Sequence, residues 1–227
     1  MFDNFWSRLF AVVEAWHVFL WDAFQTTMLI AFMAFVLGLA FGALLAVVRA
    51  YPSDHFFAKI LKWITGGYVL LFRGTPLLVQ LLIWFFVILQ DSAATAVTVA
   101  IIGFTFDGAA YMSETIRGSI NAIDKGQMEA GRALGLSTIR TYSKVILPQA
   151  FKTAVPQLGN ELIAMVKSTS IVGVIGVMDL RIAIDRINLV TFDIIVGFLL
   201  LAMIYLVVVY LLTLLIKFFE KVVFAND

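Results

Sequence analysis

The residues able to do chemistry in this chain are ionisable and amide side chains set inside apolar stretches. Asp107, Tyr111 and Glu114 recur at i, i+4 and i+7, which puts them on one face of a helix. Glu161 follows Gln157 by about one turn, with Asn160 beside it, and Lys167 and Ser168 continue that polar run. An acid at the centre of a bilayer costs about 2.5–3.5 kcal/mol on insertion scales, so such groups face a pathway or a partner. The run Arg73-Gly74-Thr75-Pro76 interrupts another apolar stretch. Membranes tolerate irregular main chain only where it lines a cavity, so Gly74 and Thr75 join the candidates. This is the chemistry of binding and passage. There is no cysteine for a nucleophile or thiolate metal site, and no Gly-x-x-x-x-Gly-Lys-Ser/Thr phosphate loop. His17 and His55 have no ligand partners at metal-site spacing, so no metal is expected.

The elements that position these residues are membrane helices. The chain has 227 residues, 62% hydrophobic and 14% charged, against about 25% charged in an ordinary soluble domain. A hydrocarbon core about 30 Å thick needs about 20 apolar residues in helix. Five stretches meet that need: about 23–48, 63–89 (interrupted at Arg73–Pro76), 93–116, 153–177 and 189–219. The expected fold is an all-α membrane protein of about five transmembrane helices. Residues 1–22 read as an N-terminal segment at the membrane interface or a simple extension, and 23–227 as the transmembrane domain. In the first segment Phe5, Leu9, Val12, Val13 and Trp16 fall at helical spacing. The start, Met1-Phe2-Asp3-Asn4, lacks the basic region of a cleavable signal peptide. Gly38 and Gly42 form a small-xxx-small pair suited to close helix packing.

Twelve Lys and Arg residues fall on one side of these spans and three on the other. The positive-inside rule then puts the N-terminus outside and the C-terminus in the cytoplasm. The net charge of +1 gives no case for a nucleic-acid partner.

One long polar stretch, 121–152, falls on the cytoplasmic side. Two short amphipathic helices are predicted, about Lys125–Leu134 and Thr138–Ile146. Gly135 supplies the left-handed residue between them, Ser137 the cap of the second, and Pro148 its stop. Such a pair forms a knob for a groove in another protein, or two helices lying on the membrane.

Residue identity separates these. Glu129-Ala130-Gly131, then Gly135, then Val145-Ile146-Leu147-Pro148 resembles the EAA motif of binding-protein-dependent ABC importer permeases. Gly131 and Val145 depart from the usual alanine and isoleucine. The segments Phe72–Gln80, Ala110–Gly118, Leu147–Ala150, Leu158–Glu161 and Lys167–Ser170 are similar to signatures of the polar amino acid permeases, with Ser168 where aspartate is common.

The resemblance implies a permease subunit that moves polar amino acids across the inner membrane. It implies a second permease subunit, an ATPase dimer that alone handles ATP and Mg, and an extracytoplasmic amino-acid-binding protein. Gln127, Glu129, Ala130, Gly135, Leu136 and Pro148 would then form the ATPase-coupling surface. Gly74, Thr75, Asp107, Tyr111, Glu161, Lys167 and Ser168 would face substrate. A zwitterionic cargo would offer its ammonium to a carboxylate and its carboxylate to backbone N–H groups or a cation. Structural roles stand beside these: Glu161 as partner of Lys167 or of the second subunit, Asp107 across a dimer, Glu114 with Arg117, and Arg73 as a structural or gate residue. Relatives that carry basic amino acids often have an acid shortly before Arg-Gly-Thr-Pro, whereas Leu70, Leu71 and Phe72 are apolar, which favours a neutral or acidic cargo, although Asp107 could restore a negative site. A proton- or ion-driven transporter or channel using the same acids, or a scaffold without transport, are the competing functions.

Overall fold

A computed structural model describes residues 4–53 and 55–224; Met1–Asp3, part of the run read against a signal peptide, lie outside the described residues. Among the described residues nine α-helices follow in order: α1 (Phe5–Ala50), α2 (Phe56–Gly74), α3 (Leu77–Ile83), α4 (Ala96–Asn121), α5 (Lys125–Ala133), α6 (Thr138–Thr141), α7 (Leu147–Ser168), α8 (Leu180–Thr191) and α9 (Ile194–Phe224). No strand occurs among the described residues. A π-helical turn, Trp84–Ile88, extends α3; another, Tyr142–Ile146, joins α6 to α7; a 3-10 turn, Thr169–Ile175, follows α7. Among the described residues, four helical runs are long and apolar enough to cross a membrane; α2 and the run Leu77–Ile88 meet at a bend of 107° and make a fifth if the pair counts as one span.

The second span breaks where the sequence placed the break. Thr75 precedes a proline and is extended at φ −119°, ψ 146°, as the Pro76 ring requires. The first span is longer than expected. Residues 5–22 continue without interruption into the apolar stretch as one 46-residue helix. Its contour length is about 69 Å, more than twice the hydrocarbon thickness.

The described chain divides into two compact units. The first comprises residues 1–34, 77–104 and 162–214. Its core joins Leu9, Val12, Leu20 and Ala23 of α1 to Leu180, Ala183, Ile184 and Ile187 of α8 and to Val196 and Leu200 of α9. The helically spaced Leu9 and Val12 are therefore buried against protein. Arg8 of α1 pairs with Asp193 at 2.8 Å. Asp179 caps α8 by accepting from Ile182 N–H at 3.0 Å, and the Thr27 hydroxyl accepts from Leu180 N–H at 3.2 Å. Between α8 and α9 the chain turns at Phe192, which has φ +55°.

The second unit comprises residues 35–76, 105–161 and 215–227. Gly38 and Gly42 bring α1 against α4 backbone to backbone. A Cβ on Gly42 would lie 2.8 Å from the Ala109 carbonyl oxygen, and one on Gly38 would lie 3.3 Å from that of Thr105. The small-residue pair thus does the packing its spacing implied. Phe41, Tyr68, Phe72 and Phe106 form an aromatic cluster joining α1, α2 and α4.

Pro148 corrects one expectation. It does not end a helix: Thr138–Ile175 is a single 38-residue helical run. The π turn explains this. Leu147 N–H donates to Tyr142 C=O, one residue further back than in an α-helix. That widening makes room for the ring of Pro148, which has no N–H to continue the regular ladder.

Candidate functional site

Five of the seven candidate substrate residues fall in the second unit: Gly74 and Thr75 at the end of α2, Asp107 and Tyr111 on α4, and Glu161 on α7. Gly74 is exposed, with open space where a Cβ would stand. Thr75 donates its hydroxyl to Leu71 C=O at 2.9 Å. Two residues outside the candidate set link these positions. Tyr68 donates to the Phe106 carbonyl at 2.5 Å and lies within electrostatic reach of Asp107. The Arg73 guanidinium carbon sits 5.3 Å from the centre of the Tyr111 ring, a cation–π contact, and Glu161 lies within its electrostatic reach. Helical spacing held the signal for Tyr68: residues 65, 68, 72 and 75 share one face of α2. Arg73 reads as a structural residue in sequence because nothing local shows that α4 and α7 come to it.

Glu114, seven residues beyond Asp107, is a structural acid. Arg49 donates to one of its carboxylate oxygens at 2.7 Å, and Arg117, its i+3 neighbour, pairs with the other. Arg49, Gly66, Val69, Leu70, Arg73, Gly74 and Glu114 line an open cavity of about 410 Å3.

Lys167 and Ser168 fall in the first unit. Lys167 borders a separate cavity of about 390 Å3 with Ser170, Arg181 and Tyr205. Its ammonium makes no ion pair among the described residues, while Arg181 is held by Asp185 at 2.9 Å.

The polar segment folds as the helix pair its glycine implied. Asp124 caps α5 by accepting from Gly126 N–H at 2.6 Å. The end of α5 is a Schellman motif. Gly135 stands at φ +80°, its N–H bonds Arg132 C=O at 3.0 Å, and Leu136 N–H bonds Gly131 C=O at 3.0 Å. Ser137 caps α6 through Arg140 N–H at 3.4 Å. Gly131 lies against Thr141, so closely that a Cβ there would overlap the threonine side chain. The departure from alanine at this position is thus what lets α5 and α6 meet. Gln127, Glu129, Ala130, Gly135 and Pro148 are exposed, Leu136 is half-buried, and Gln127 accepts from Gln149 at 3.4 Å. Tyr142 is buried edge-on against Tyr51 at the end of α1, with ring centres 5.5 Å apart. Two apolar residues missing from the candidate surface stand out: Leu134 is 82% and Ile139 65% exposed.

Residues 38–224 match the model of the "Binding-protein-dependent transport system inner membrane component" family. The chain belongs to that family. An arginine transport system permease protein of Bacillus subtilis is 34% identical over 211 residues, covering 92% of this chain and 94% of that one. A permease protein of Rickettsia conorii named for a glutamine transport system is 32% identical over 225 residues, covering 98% and 97%. Among solved structures, a chain of an amino acid ABC transporter crystallised with histidines matches with a TM-score of 0.83 at 33% identity, covering 92% of this chain and 96% of that one. A chain of an inward-facing methionine ABC transporter shares the fold, with a TM-score of 0.69 at 23% identity. The chain is thus an all-α, multi-pass inner-membrane permease subunit with the type I ABC importer fold. That fold implies ATPase and binding-protein partners in general. No group of three or more His, Cys, Asp or Glu fit to hold a metal occurs among the described residues.

Proposed function

We propose that this subunit, paired with a second permease subunit, carries a polar amino acid inward past Gly74, Thr75, Asp107, Tyr111 and Glu161, and that an ATPase dimer drives it through 121–152. ATP and Mg belong to that partner, an extracytoplasmic binding protein delivers the cargo, and the N-terminus lies outside with the C-terminus in the cytoplasm. The names of the glutamine and arginine relatives support an amino acid as cargo. A neutral or acidic amino acid fits the apolar Leu70–Phe72 before the break. Lys167 and Ser168 serve the same cargo at the end of α7.

The observation that carries the coupling half of this reading is helical continuity. The docking pair is locked by a Schellman turn, and its second arm runs unbroken into α7, the helix that bears Glu161. A push on the exposed Leu134 and Ile139 is therefore carried toward Glu161 along one helical run, which continues past Pro148 and Pro156. Packed helices switch between discrete arrangements, so a small shift suffices to change access.

The test uses proteoliposomes holding the assembled complex. Glu129→Gln and Leu134→Asp should leave the protein in the membrane and uncouple uptake from ATP hydrolysis. Asp107→Asn and Glu161→Gln should alter amino acid preference or substrate-stimulated ATPase activity. Uptake that persists without any ATPase and follows the proton gradient would refute the ATP-driven reading. Unchanged transport in both acid variants would return Asp107 and Glu161 to structural roles.

A further inference from the structure

We propose that Arg73 is the binding site for the α-carboxylate of the carried amino acid, holding it beside the Gly74 break while Glu161 on α7 receives the ammonium. This rests on the amino acid reading above and adds the cation that a zwitterionic cargo requires.

Three observations carry it. Arg73 is exposed, and its guanidinium makes no ion pair among the described residues. The other two arginines in this part of the unit, Arg49 and Arg117, are both committed to Glu114. Arg73 therefore keeps its planar fork of donors for a carboxylate, which matches that geometry with two parallel N–H···O bonds.

Its position is also defined. It packs 5.3 Å from the Tyr111 ring and borders the 410 Å3 cavity with Gly74. Cation–π contact fixes the plane of the guanidinium while leaving its edge donors available. Glu161, on a different helix, lies within electrostatic reach. Arg73 on α2, with the Tyr111 ring against it, and Glu161 on α7 supply the two signs a zwitterion needs. A role confined to the end of α2, where a basic residue complements the helix dipole, would need neither the stacked ring nor the acid on α7.

The experiment measures binding to the detergent-solubilised permease–ATPase complex without the extracytoplasmic receptor, so that the receptor's own selectivity is absent. Glutamine, asparagine, serine and glutamate are each compared with their own α-carboxamide. A charge-assisted pair worth about 1.5–3 kcal/mol corresponds to about a 10- to 150-fold preference for the free carboxylate in the wild type. Arg73→Gln should reduce that preference to about threefold or less while leaving carboxamide affinity unchanged, which also shows that the variant is folded. Arg73→Lys should keep part of it, because the charge remains and the fork is lost. An Arg73→Gln complex that retains the wild-type preference overturns the assignment of Arg73 and leaves the amino acid reading standing. A wild-type complex that binds no member of the panel overturns the amino acid reading and this assignment with it.

Discussion

Replacing Gly131 by alanine tests whether the contact between α5 and α6 is set by sterics. Alanine gains about 1 kcal/mol of helix propensity over glycine within α5. Against that, the new Cβ would overlap the side chain of Thr141, which is fully buried. Thr141 is β-branched, and its hydroxyl donates to Ser137 C=O at 3.2 Å, so it has little freedom to rotate away. Overpacking of this kind costs about 1–3 kcal/mol. The net expectation is a loss of about 0–2 kcal/mol from the helix pair. Removing the obstacle reverses the sign. In a Thr141→Ala background the two nearest atoms are gone and the residue-141 Cβ stays 3.1 Å from the added methyl, so Gly131→Ala should then stabilise the pair by about 1 kcal/mol. Amide hydrogen exchange over 125–146 in the intact complex reads this directly, at about tenfold in rate per 1.4 kcal/mol. The two substitutions should be coupled by about 1–3 kcal/mol in the double-mutant cycle. If Gly131→Ala changes protection equally in both backgrounds, within about 0.3 kcal/mol, the steric account is wrong.

Gly42→Ala should destabilise the α1–α4 contact by about 1–3 kcal/mol, because the methyl would stand 2.8 Å from the backbone oxygen of Ala109 and backbone cannot move aside cheaply; thermal unfolding of the complex measures it, and an unchanged midpoint counts against the packing described. Glu114→Gln should cost about 1.5–3 kcal/mol in the same assay, since it leaves Arg49 and Arg117 without their shared acid, and an unchanged midpoint counts against that pairing. Phe192→Asn should raise stability by about 1 kcal/mol, as asparagine tolerates the left-handed backbone that phenylalanine strains to hold; a lower midpoint would mean the exposed ring anchors the turn.

Much of this molecule is legible in its sequence where the signal is local. Apolar length marks the spans, the Arg73–Pro76 run marks the break in the second, and Gly135 marks the turn of the docking pair. The pairing of Glu114 with Arg117 also follows from i, i+3 spacing. What escapes is set by contacts far apart in the chain. Arg49 joins Glu114 from 65 residues away, and Tyr68 reaches the Phe106 carbonyl across 38. Arg73 stacks on Tyr111 for the same kind of reason, so no local pattern separates it from a simple helix-terminal base. Pro148 misleads for a different reason. Proline ends an α-helix by steric conflict with the preceding turn, and the π turn that removes the conflict has no signature in residue type. Leu134 and Ile139 are ordinary apolar residues of amphipathic helices until the fold shows that neither is covered.

That π turn also preserves an angular phase. Each residue of an α-helix advances the chain by about 100°, and a π turn holds one residue more than the regular helix would. The extra residue among Tyr142–Ile146 is absorbed within the widened turn, so Leu134 and Ile139 keep nearly the facing that a plain α-helix would give them relative to the side of α7 that carries Glu161. Deleting Ser143, an exposed member of the turn, should let the backbone close as plain α-helix with that facing nearly unchanged, while removing the room the π turn leaves for the ring of Pro148. The joint therefore buffers length: a chain one residue shorter there keeps its azimuth and meets the proline's steric conflict instead.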